Sequence, residues 1–416
     1  MNKAKPFSIS KEVVWEAYKR VKANKGAAGV DEVTIKEFER DLKNNLYKLW
    51  NRMSSGSYSP PSVRRVEIEK EKGGKRILGV PCVSDRVAQM VVKMYLEPKV
   101  EPYFHKDSYG YRPNKSATEA VGTARQRCWR YKWVIDLDIR AFFDNLDHKL
   151  MMRAVRKHTD CKWILLYVER WLKAPTQTET GELTNINREK GTAQGSVVSP
   201  LLSNLFLHYA LDLWLNKNYP HNPFERYADD EIVHCTSEAE AKKIRSAIEG
   251  RLAQCKLELH PQKTKIVYCS RENRQRYPNE KFDFLGYTFQ TRWLKSKFEG
   301  VFVTFSPAVS DKALKSMSQT IRSWRLHLRS DKSLDELSRR FDPVLRGWVN
   351  YYGKYYKTAL HPMLYRINLA LIRWATRKYK KLRGRRGRAT HWMGRIARQR
   401  PQLFAHWQAG LLPVVE

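Results

Sequence analysis

Acidic residues are scarce in this sequence. Its 416 residues include 43 Asp and Glu against 78 Lys and Arg, which gives a formal net charge of +35. The shortage is most marked near the C-terminus, where residues 343–415 contain no Asp or Glu but 16 Lys and Arg. A surplus of this size makes a phosphate polyanion, and hence nucleic acid, the expected partner.

Long apolar runs are also missing. No stretch approaches the roughly 18 apolar residues of a membrane span, and the N-terminal residues lack the apolar core of a secretory signal. No membrane association is therefore expected. Cysteines are few and show no short paired spacing, which argues against a disulfide framework or a zinc ribbon and favours a reducing cytoplasm. They are Cys82, Cys128, Cys161, Cys235, Cys255 and Cys269.

The sequence contains no internal repeat, no Gly/Ser-rich linker and no low-complexity tract. At ~100–200 residues per domain, a chain of this length predicts two or three domains. Apolar residues make up 42% of the chain, enough for a sizeable core.

The basic C-terminal segment is rich in aromatic residues. This density is wrong for a disordered tail, which is poor in aromatics. Basic residues beside rings can neutralise phosphates and stack bases, so the segment predicts binding of RNA or an RNA–DNA hybrid. Some rings are expected in the core, since Trp348, Tyr351 and Tyr355 have helical spacing. The predicted nucleic-acid-binding residues are Arg377, Lys378, Lys380, Lys381, Arg383, Arg385, Arg386 and Arg388.

Two adjacent carboxylates, Asp229 and Asp230, lie in the run from Phe224 to Cys235. The apolar and aromatic residues on either side predict a strand, a tight turn holding both aspartates, and a second strand. Adjacent carboxylates repel each other, and a divalent cation such as Mg²⁺ would relieve the repulsion while leaving positions open for phosphates. An acidic solvent-exposed turn is the alternative interpretation, because Asp is common in turns.

A second acidic motif follows a strand pattern over residues 133–140. The alternation places Asp136 and Asp138 on one face, and Asp144 or Asn145 is expected to cap the helix that follows. Two strands that carry carboxylates suit a two-metal site for phosphoryl chemistry. The spacing alone does not choose between Asp136 and Asp138.

Four motifs in order carry a resemblance to a known family. Together they resemble a reverse transcriptase of the kind encoded by group II introns, and the similarity runs from Asn24 past Tyr352. The motifs are residues 138–148 (DIRAFFDNLDH), 191–204 (GTAQGSVVSPLLSN), 227–230 (YADD) and 282–287 (FDFLGY). Each motif is moderately specific by itself, and the ordered set is strong.

The resemblance implies an α+β right-hand polymerase. Fingers would occupy residues 1–125, a palm with an antiparallel sheet residues 126–295, and a helical, basic thumb and maturase domain residues 296–416. The metal-binding and catalytic residues would be Asp138, Asp229 and Asp230, with Asp136 in a supporting role. The implied cofactor is a pair of Mg²⁺ ions, for which Mn²⁺ could substitute.

A basic hairpin is predicted over residues 62–82, with its turn at Gly73-Gly74. By its pattern alone it reads as an exposed hairpin kept soluble by alternating charges. The resemblance implies instead that Lys70 and Arg76 contact the incoming dNTP. Arg64 is a further expected contact, and Arg65 would replace it if the strand register differed by one residue.

Three more residues near the incoming nucleotide are implied by the resemblance. Gln194 would lie near the nascent base pair, although Ala193 stands where the family usually has proline. The ring of Phe143 would exclude a ribose 2′-hydroxyl; the alternative is that it belongs to the core. Lys263 would act near the pyrophosphate leaving group, with Lys265 or a merely exposed lysine as alternatives.

The resemblance also implies partners and a setting. They are intron RNA, an RNA template with a DNA primer, dNTPs and a DNA target, in a cytoplasmic ribonucleoprotein associated with the nucleoid. The chain is expected to belong to the branch that lacks an endonuclease domain. Two rival functions are a splicing maturase with a silent polymerase site and a reverse transcriptase of a defence or spacer-acquisition system.

Overall fold

A computed structural model describes residues 5–69, 75–186, 188–270, 276–295 and 300–413. Helices and sheets alternate along the chain, which confirms the predicted α+β class. The chain forms two compact units. The first comprises residues 1–120 and 135–265, and the second residues 121–134 and 266–416. The division into fingers, palm and thumb stays a prediction.

Helices dominate the first unit. The N-terminal helices pack around the long α4, whose apolar residues are almost all buried. The helices between residues 11 and 254 are α1 (Lys11–Ala23), α2 (Ile35–Arg40), α3 (Leu42–Ser55), α4 (Val83–Val100), α5 (Ala117–Cys128), α6 (Phe142–Asn145), α7 (His148–Arg156), α8 (Lys162–Lys173), α9 (Ser199–Leu207), α10 (Leu213–Asn218) and α11 (Glu238–Gln254). Of these, α5 belongs to the second unit from residue 121 onward. A π-helical segment, His208–Asp212, joins α9 to α10.

Two four-stranded sheets contain Asp138, Asp230 and the basic hairpin. One has the order β2-β1-β4-β5, and the other β6-β7-β3-β8. The strands are β1 (Val63–Glu69), β2 (Lys75–Val80), β3 (Trp133–Asp138), β4 (Thr176–Gln177), β5 (Leu183–Thr184), β6 (Phe224–Tyr227), β7 (Asp230–Cys235) and β8 (Lys265–Tyr268). The antiparallel pairing of β1 with β2 and of β6 with β7 confirms both predicted hairpins.

The second unit combines a small sheet with a helical core. Its sheet has the order β11-β10-β9. Rings and aliphatic side chains fill the core, including the fully buried Trp374 and Leu371. The elements are β9 (Lys281–Phe284), β10 (Tyr287–Lys295), β11 (Val301–Val309), α12 (Asp311–Ser323), α13 (Leu334–Tyr352), α14 (His361–Lys378), α15 (Arg386–Gln399) and α16 (Ala405–Gln408).

The helix cap predicted near residue 144 is wrong. Asp144 and Asn145 lie inside the short α6, and α7 is capped by Asp147, whose carboxylate accepts from the backbone N–H of Leu150 at 2.9 Å. A side chain can cap a helix only where its own backbone is extended, and Asp147 satisfies this condition with φ −65° and ψ 124°.

No helix within the described ranges is long and apolar enough to cross a membrane.

Candidate active site

The acidic hairpin has a two-residue turn. Tyr227 pairs with Asp230 as the last pair of the β6–β7 ladder, so Ala228 and Asp229 form the turn, and Asp230 begins β7. The expectation that both aspartates lie in the turn is therefore wrong for Asp230. Ala228 has a φ of +58°, a conformation that costs a non-glycine residue energy and must be held by its surroundings. Gly110 lies against this turn so closely that a Cβ there would collide with the Ala228 backbone.

A buried arginine holds the turn from behind. The Arg226 side chain is completely buried and donates to both carboxylate oxygens of Asp212, at 2.6 and 2.7 Å. It also donates to the Ala228 carbonyl at 2.9 Å, a direct bond to the strained residue. Burial lowers the pKa of Arg226, but the Asp212 carboxylate more than offsets this and leaves the pKa raised. The cation is therefore permanent, and Asp229 adds to the negative field around it.

Another interaction of Arg226 reaches the chain beside the turn. Its guanidinium donates to the Asn204 side-chain oxygen at 2.9 Å, and Asn204 in turn donates to the Gly110 carbonyl at 2.6 Å. The turn and the segment at Gly110 that packs against it are thus fixed through one cation. A bidentate, fully desolvated arginine pair of this kind gives fixed geometry rather than mere charge neutralisation.

Glu231, next to the metal-site candidate Asp230, is buried without a hydrogen-bond partner among the described residues. Burial raises its pKa well above the usual value, and Asp212 and Glu225 raise it further while Arg226 opposes them. Its surroundings thus favour the neutral form of Glu231, whereas Asp212 is the carboxylate that is hydrogen-bonded to the buried Arg226 cation.

Asp138 is the last residue of β3, the strand next to β7 in the sheet. Its neighbours Leu137 and Ile139 are buried, while Asp136 and Asp138 are both partly exposed, as the alternation predicts. The Lys263 ammonium lies 3.3 and 3.4 Å from the two Asp138 carboxylate oxygens. This contact favours Lys263 over Lys265 as the lysine near the site.

The donor atoms of the three aspartates fit a hard divalent cation. Carboxylate oxygens on the neighbouring strands β3 and β7 are the ligands that Mg²⁺ prefers. Within the described part of the chain, no three His, Cys, Asp or Glu side chains are already grouped around a common point. The backbone thus brings the strands together, whereas a complete set of ligands is not preassembled.

The Gln194 loop is anchored on two sides. On one side, the side-chain oxygen of Gln89 on α4 accepts from the Ser196 hydroxyl at 2.5 Å and the Val197 N–H at 2.8 Å. On the other, the Gln194 carbonyl accepts from the Gly79 N–H of β2 at 2.6 Å. Gly195 has a φ of +109°, and a Cβ on it would lie 2.7 Å from the Gly79 carbonyl, so glycine is required there. The loop and the basic hairpin are therefore bonded to each other.

The start of the same loop reaches Phe143. The Thr192 N–H donates to the Phe143 carbonyl at 2.8 Å, and the buried His148 ring bonds the Gly191 carbonyl at 2.7 Å. Phe143 is only 9% exposed, and its ring packs edge to face against Phe142. Little of the ring surface is therefore accessible. Its role against a nucleotide sugar stays a prediction.

The basic hairpin is described in part. Arg64 lies on β1 opposite Val80 and is partly exposed, while Arg65 forms an ion pair with Glu67 at 2.8 Å. Lys70 and the side chain of Arg76 lie outside the described residues, although the Arg76 backbone pairs with Ile68. Their contacts with a triphosphate stay predictions.

Comparison with known proteins decides the family. The profile of the family described as reverse transcriptase (RNA-dependent DNA polymerase) matches residues 68–289, more than half of the chain. The chain belongs to the reverse transcriptase family. Residues 314–392 of this reverse transcriptase also match the maturase-specific domain of group II introns. Both findings confirm the resemblance drawn from the four motifs.

Curated relatives of this reverse transcriptase include intron proteins. Protein YkfC of Escherichia coli is 31% identical over 315 residues, which cover 65% of this chain and 78% of the relative. The group II intron-encoded protein LtrA of Lactococcus lactis is 29% identical over 283 residues, covering 65% of this chain and 44% of the relative. An uncharacterised 91 kDa protein in the cob intron of Schizosaccharomyces pombe is 32% identical over 214 residues, covering 50% of this chain and a quarter of the relative. The chain thus spans less than half of the last two relatives.

The predicted RNA-binding cations of this reverse transcriptase lie on the surface of the second unit. Seven of the eight are exposed, and Lys378 is partly exposed with its ammonium donating to the Ser330 carbonyl at 2.8 Å. The rings of the same segment are differently placed. Trp374 and Trp407 are buried, and Trp348 stacks on Trp324 at 5.8 Å. The segment therefore exposes its cations and keeps these rings in its own core.

The supports of the site do not stand out in the sequence. Arg226, Asp212 and Gln89 hold the acidic turn and the Gln194 loop, yet none of them belongs to a pattern that predicts such a role. One signal is available: Arg226 is a cation within the mostly buried strand β6. A buried cation must have a partner, so such a residue indicates an ion pair. The identity of that partner, 14 residues away, is not readable from local pattern.

Proposed function

We propose that this reverse transcriptase synthesises DNA on an RNA template from dNTPs and a DNA primer, and that it binds intron RNA to assist splicing and mobility at a DNA target. The assignment of polymerase activity rests on one observation. Asp138 and Asp230 lie on neighbouring strands, and Asp229 lies in a turn that is fixed by Arg226. Rigid support of this kind is what a reaction that depends on positioning requires.

The three aspartates would hold the divalent ions, two Mg²⁺ or their substitute Mn²⁺. When bound, such ions lower the pKa of the attacking 3′-hydroxyl and neutralise the charge that develops on the phosphoryl group. Asp138 and Asp230 supply oxygen ligands from two strands, and Asp229 supplies one from the turn. A turn locked to a buried cation keeps its carboxylate in place while substrates enter and leave.

The other residues would position the nucleotide. Arg64, Lys70 and Arg76 contact the triphosphate, since arginine binds phosphate oxygens in a bidentate manner and lysine acts as a point charge. Gln194 contacts the nascent base pair. Lys263 would give a proton to the departing pyrophosphate, a role supported by its contact with Asp138.

Phe143 would close the sugar pocket against a 2′-hydroxyl. This role is supported by the backbone bond between Thr192 and Phe143, which joins residue 143 to the start of the Gln194 loop. The 2′-hydroxyl is the group by which a protein distinguishes ribonucleotides from deoxyribonucleotides.

RNA binding rests on the exposed cations of the second unit. Three of them, Arg385, Arg386 and Arg388, lie at the N-terminus of α15, where the helix dipole is positive and added cations are unfavourable without an anion. Backbone phosphates would supply that anion. The match to the maturase-specific domain supports intron RNA as the ligand.

Primer extension tests the polymerase. The purified full chain with Mg²⁺ and dNTPs should extend a DNA primer on an RNA template, and Asp229→Asn should lower the rate by at least about 10²-fold. Asp160→Asn, a change of an exposed aspartate between α7 and α8, is the matched control and should extend normally. Chelation of the metal should stop extension by both active proteins.

The same experiment separates the polymerase from one rival function, the maturase with a silent polymerase site. If the folded wild-type protein binds intron RNA but extends no primer, the polymerase assignment is wrong. The protein is then a splicing maturase with a silent polymerase site. Equal extension by wild type and Asp229→Asn would overturn the assignment of that carboxylate.

A further inference from the structure

The sheet of the second unit has an apolar face that is covered at one end and open at the other. At the covered end, the rings of Phe282 and Phe289 stack at 4.7 Å, and Phe305 packs beside them. Side chains two residues apart on a strand share a face, so this face continues from Phe289 along β10 to Trp293. Trp293 is 60% exposed.

A second exposed tryptophan borders the open end. Trp129 is 52% exposed, and its indole N–H donates to the Phe305 carbonyl of β11 at 3.0 Å. The Arg125 guanidinium lies over its ring, 4.7 Å from the ring centre. A hydrogen bond and a stacked cation thus hold the indole in one orientation, although the ring is exposed.

The two tryptophans line a cavity of about 540 Å³. Its described lining also includes the exposed cations Arg130 and Lys132 and contains no Asp or Glu. The volume is within the range of roughly 300–1,000 Å³ usual for small-molecule and cofactor sites. Exposed indole rings with cations beside them are the surface on which single-stranded nucleic acid binds, because every base has a face that can stack and every linkage carries a phosphate.

We infer that this cavity binds an unpaired nucleotide of single-stranded RNA, with the base stacked on Trp129 or Trp293 and the adjoining phosphates neutralised by Arg130 and Lys132. The inference rests on the RNA-binding part of the proposed function and not on polymerisation. It also assigns base stacking to a place other than the C-terminal basic segment, whose rings Trp374 and Trp407 are buried. Stacking of this kind is tolerant of base identity, so the site would read single-strandedness rather than sequence.

Fluorescence of 2-aminopurine in a 12-nucleotide single-stranded RNA measures stacking and affinity together. The full-length wild type should bind this RNA with quenching of the base. Trp293→Ala should weaken binding by roughly 10-fold and remove most of the quenching. Trp293→Phe, which keeps a ring, should recover part of both. A blunt RNA duplex of the same sequence should bind the wild type and Trp293→Ala equally.

Tyr103→Ala is the matched control, because Tyr103 is a 64% exposed ring in the first unit, outside the cavity. It should leave binding unchanged. Unaltered affinity and quenching in Trp293→Ala, confirmed as folded by its thermal melt, would overturn the site. So would an equal loss on the duplex, which would indicate a charge or folding effect. Tighter binding of the corresponding DNA strand would overturn the assignment to RNA. None of these outcomes affects the test of polymerase activity, because primer extension by the wild type is measured separately.

Discussion

The two units of this reverse transcriptase use charge in different ways. Behind the acidic turn, the first unit buries a complete ion pair between Arg226 and Asp212. The second unit places its predicted RNA-binding cations at the surface, and the largest side chains of its core are rings. A buried pair fixes a geometry, whereas surface cations can follow the varied path of a phosphate backbone.

One buried polar cluster of the second unit, around Asn368, is neutral. The Asn368 side-chain oxygen accepts from His406 and from the Trp407 indole N–H, each at 2.8 Å. Burial lowers the pKa of His406 to about 3, so this histidine is uncharged at neutral pH. The comparison teaches that a buried ion pair holds a strained turn, whereas neutral hydrogen bonds are enough at this place in a helical core.

The largest expected effect follows from breaking the buried ion pair. Asp212→Asn should leave the Arg226 cation without its counter-ion and lower the free energy of unfolding by about 3–5 kcal/mol. Chemical denaturation of the full chain measures this. Asp335→Asn removes one partner of an exposed pair with Arg400 in the second unit and is the control, with little or no change expected. Equal losses in both variants would remove the contrast between the units.

Neutralising the surface cations should change RNA binding and leave stability intact. Replacement of Arg383, Arg385, Arg386 and Arg388 by Gln should weaken binding of intron RNA roughly 10- to 100-fold at low salt. The dependence of log affinity on log salt should flatten by about 0.7 for each phosphate that is no longer neutralised. Filter binding over a salt series is the measurement. An unchanged salt dependence would show that this surface does not contact the phosphates.

A smaller stability effect is expected at the neutral cluster around Asn368. Asn368→Ala leaves the buried donors of His406 and Trp407 without an acceptor, which should cost about 1–3 kcal/mol of unfolding free energy. The loss should be less than that of Asp212→Asn, because no charge is stranded. Denaturant titration compares the two directly, and a larger loss at Asn368 would reverse the comparison.

The effect expected at Glu231 is a change in how the free energy of unfolding depends on pH. Its raised pKa means that the folded state keeps a proton that the unfolded state releases above its ordinary pKa near 4.5. The wild type therefore loses stability from this group as pH rises above about 4.5. Glu231→Gln, neutral at every pH, should lose less between about pH 5 and 8 in thermal melts. A parallel pH profile for the two proteins would contradict a raised pKa of Glu231.

Combining the variants sharpens this test. Removing the Asp212 charge should favour ionisation of Glu231, which then becomes a substitute counter-ion for Arg226. Adding Glu231→Gln to Asp212→Asn should therefore cost more than the sum of the single changes. Additive losses would show that the two carboxyl groups do not share the cation.

Alternation of apolar and polar residues made both hairpins and the Asp138 strand predictable, because burial of one sheet face imposes a period of two. The same pattern could not choose between Asp136 and Asp138 as metal ligands, which share a face. The contact of Lys263 with Asp138 was equally unreadable, since it joins residues 125 positions apart.

Residue types alone gave the wrong helix cap, because the path of the backbone decides which residue caps the helix. Asp144, Asn145 and Asp147 are all good cap residues, and only the chain path made Asp147 the cap. The rings of the C-terminal segment gave no sign of which would be buried, because core packing and base stacking demand the same residue types. Composition was enough to predict that the partner is nucleic acid. The surfaces that would contact it could be identified only from the fold.

The hydrogen bond between Gly79 and the Gln194 carbonyl has a mechanical consequence. It ties β2 of the basic hairpin to the Gln194 loop, and the glycine at 195 lets the two backbones approach with no side chain between them. Under the proposed function, a shift of the hairpin on binding a triphosphate would therefore pull on the Gln194 loop. Nucleotide capture and inspection of its pairing would then become one movement, so that a mispaired base would loosen the grip on its own phosphates.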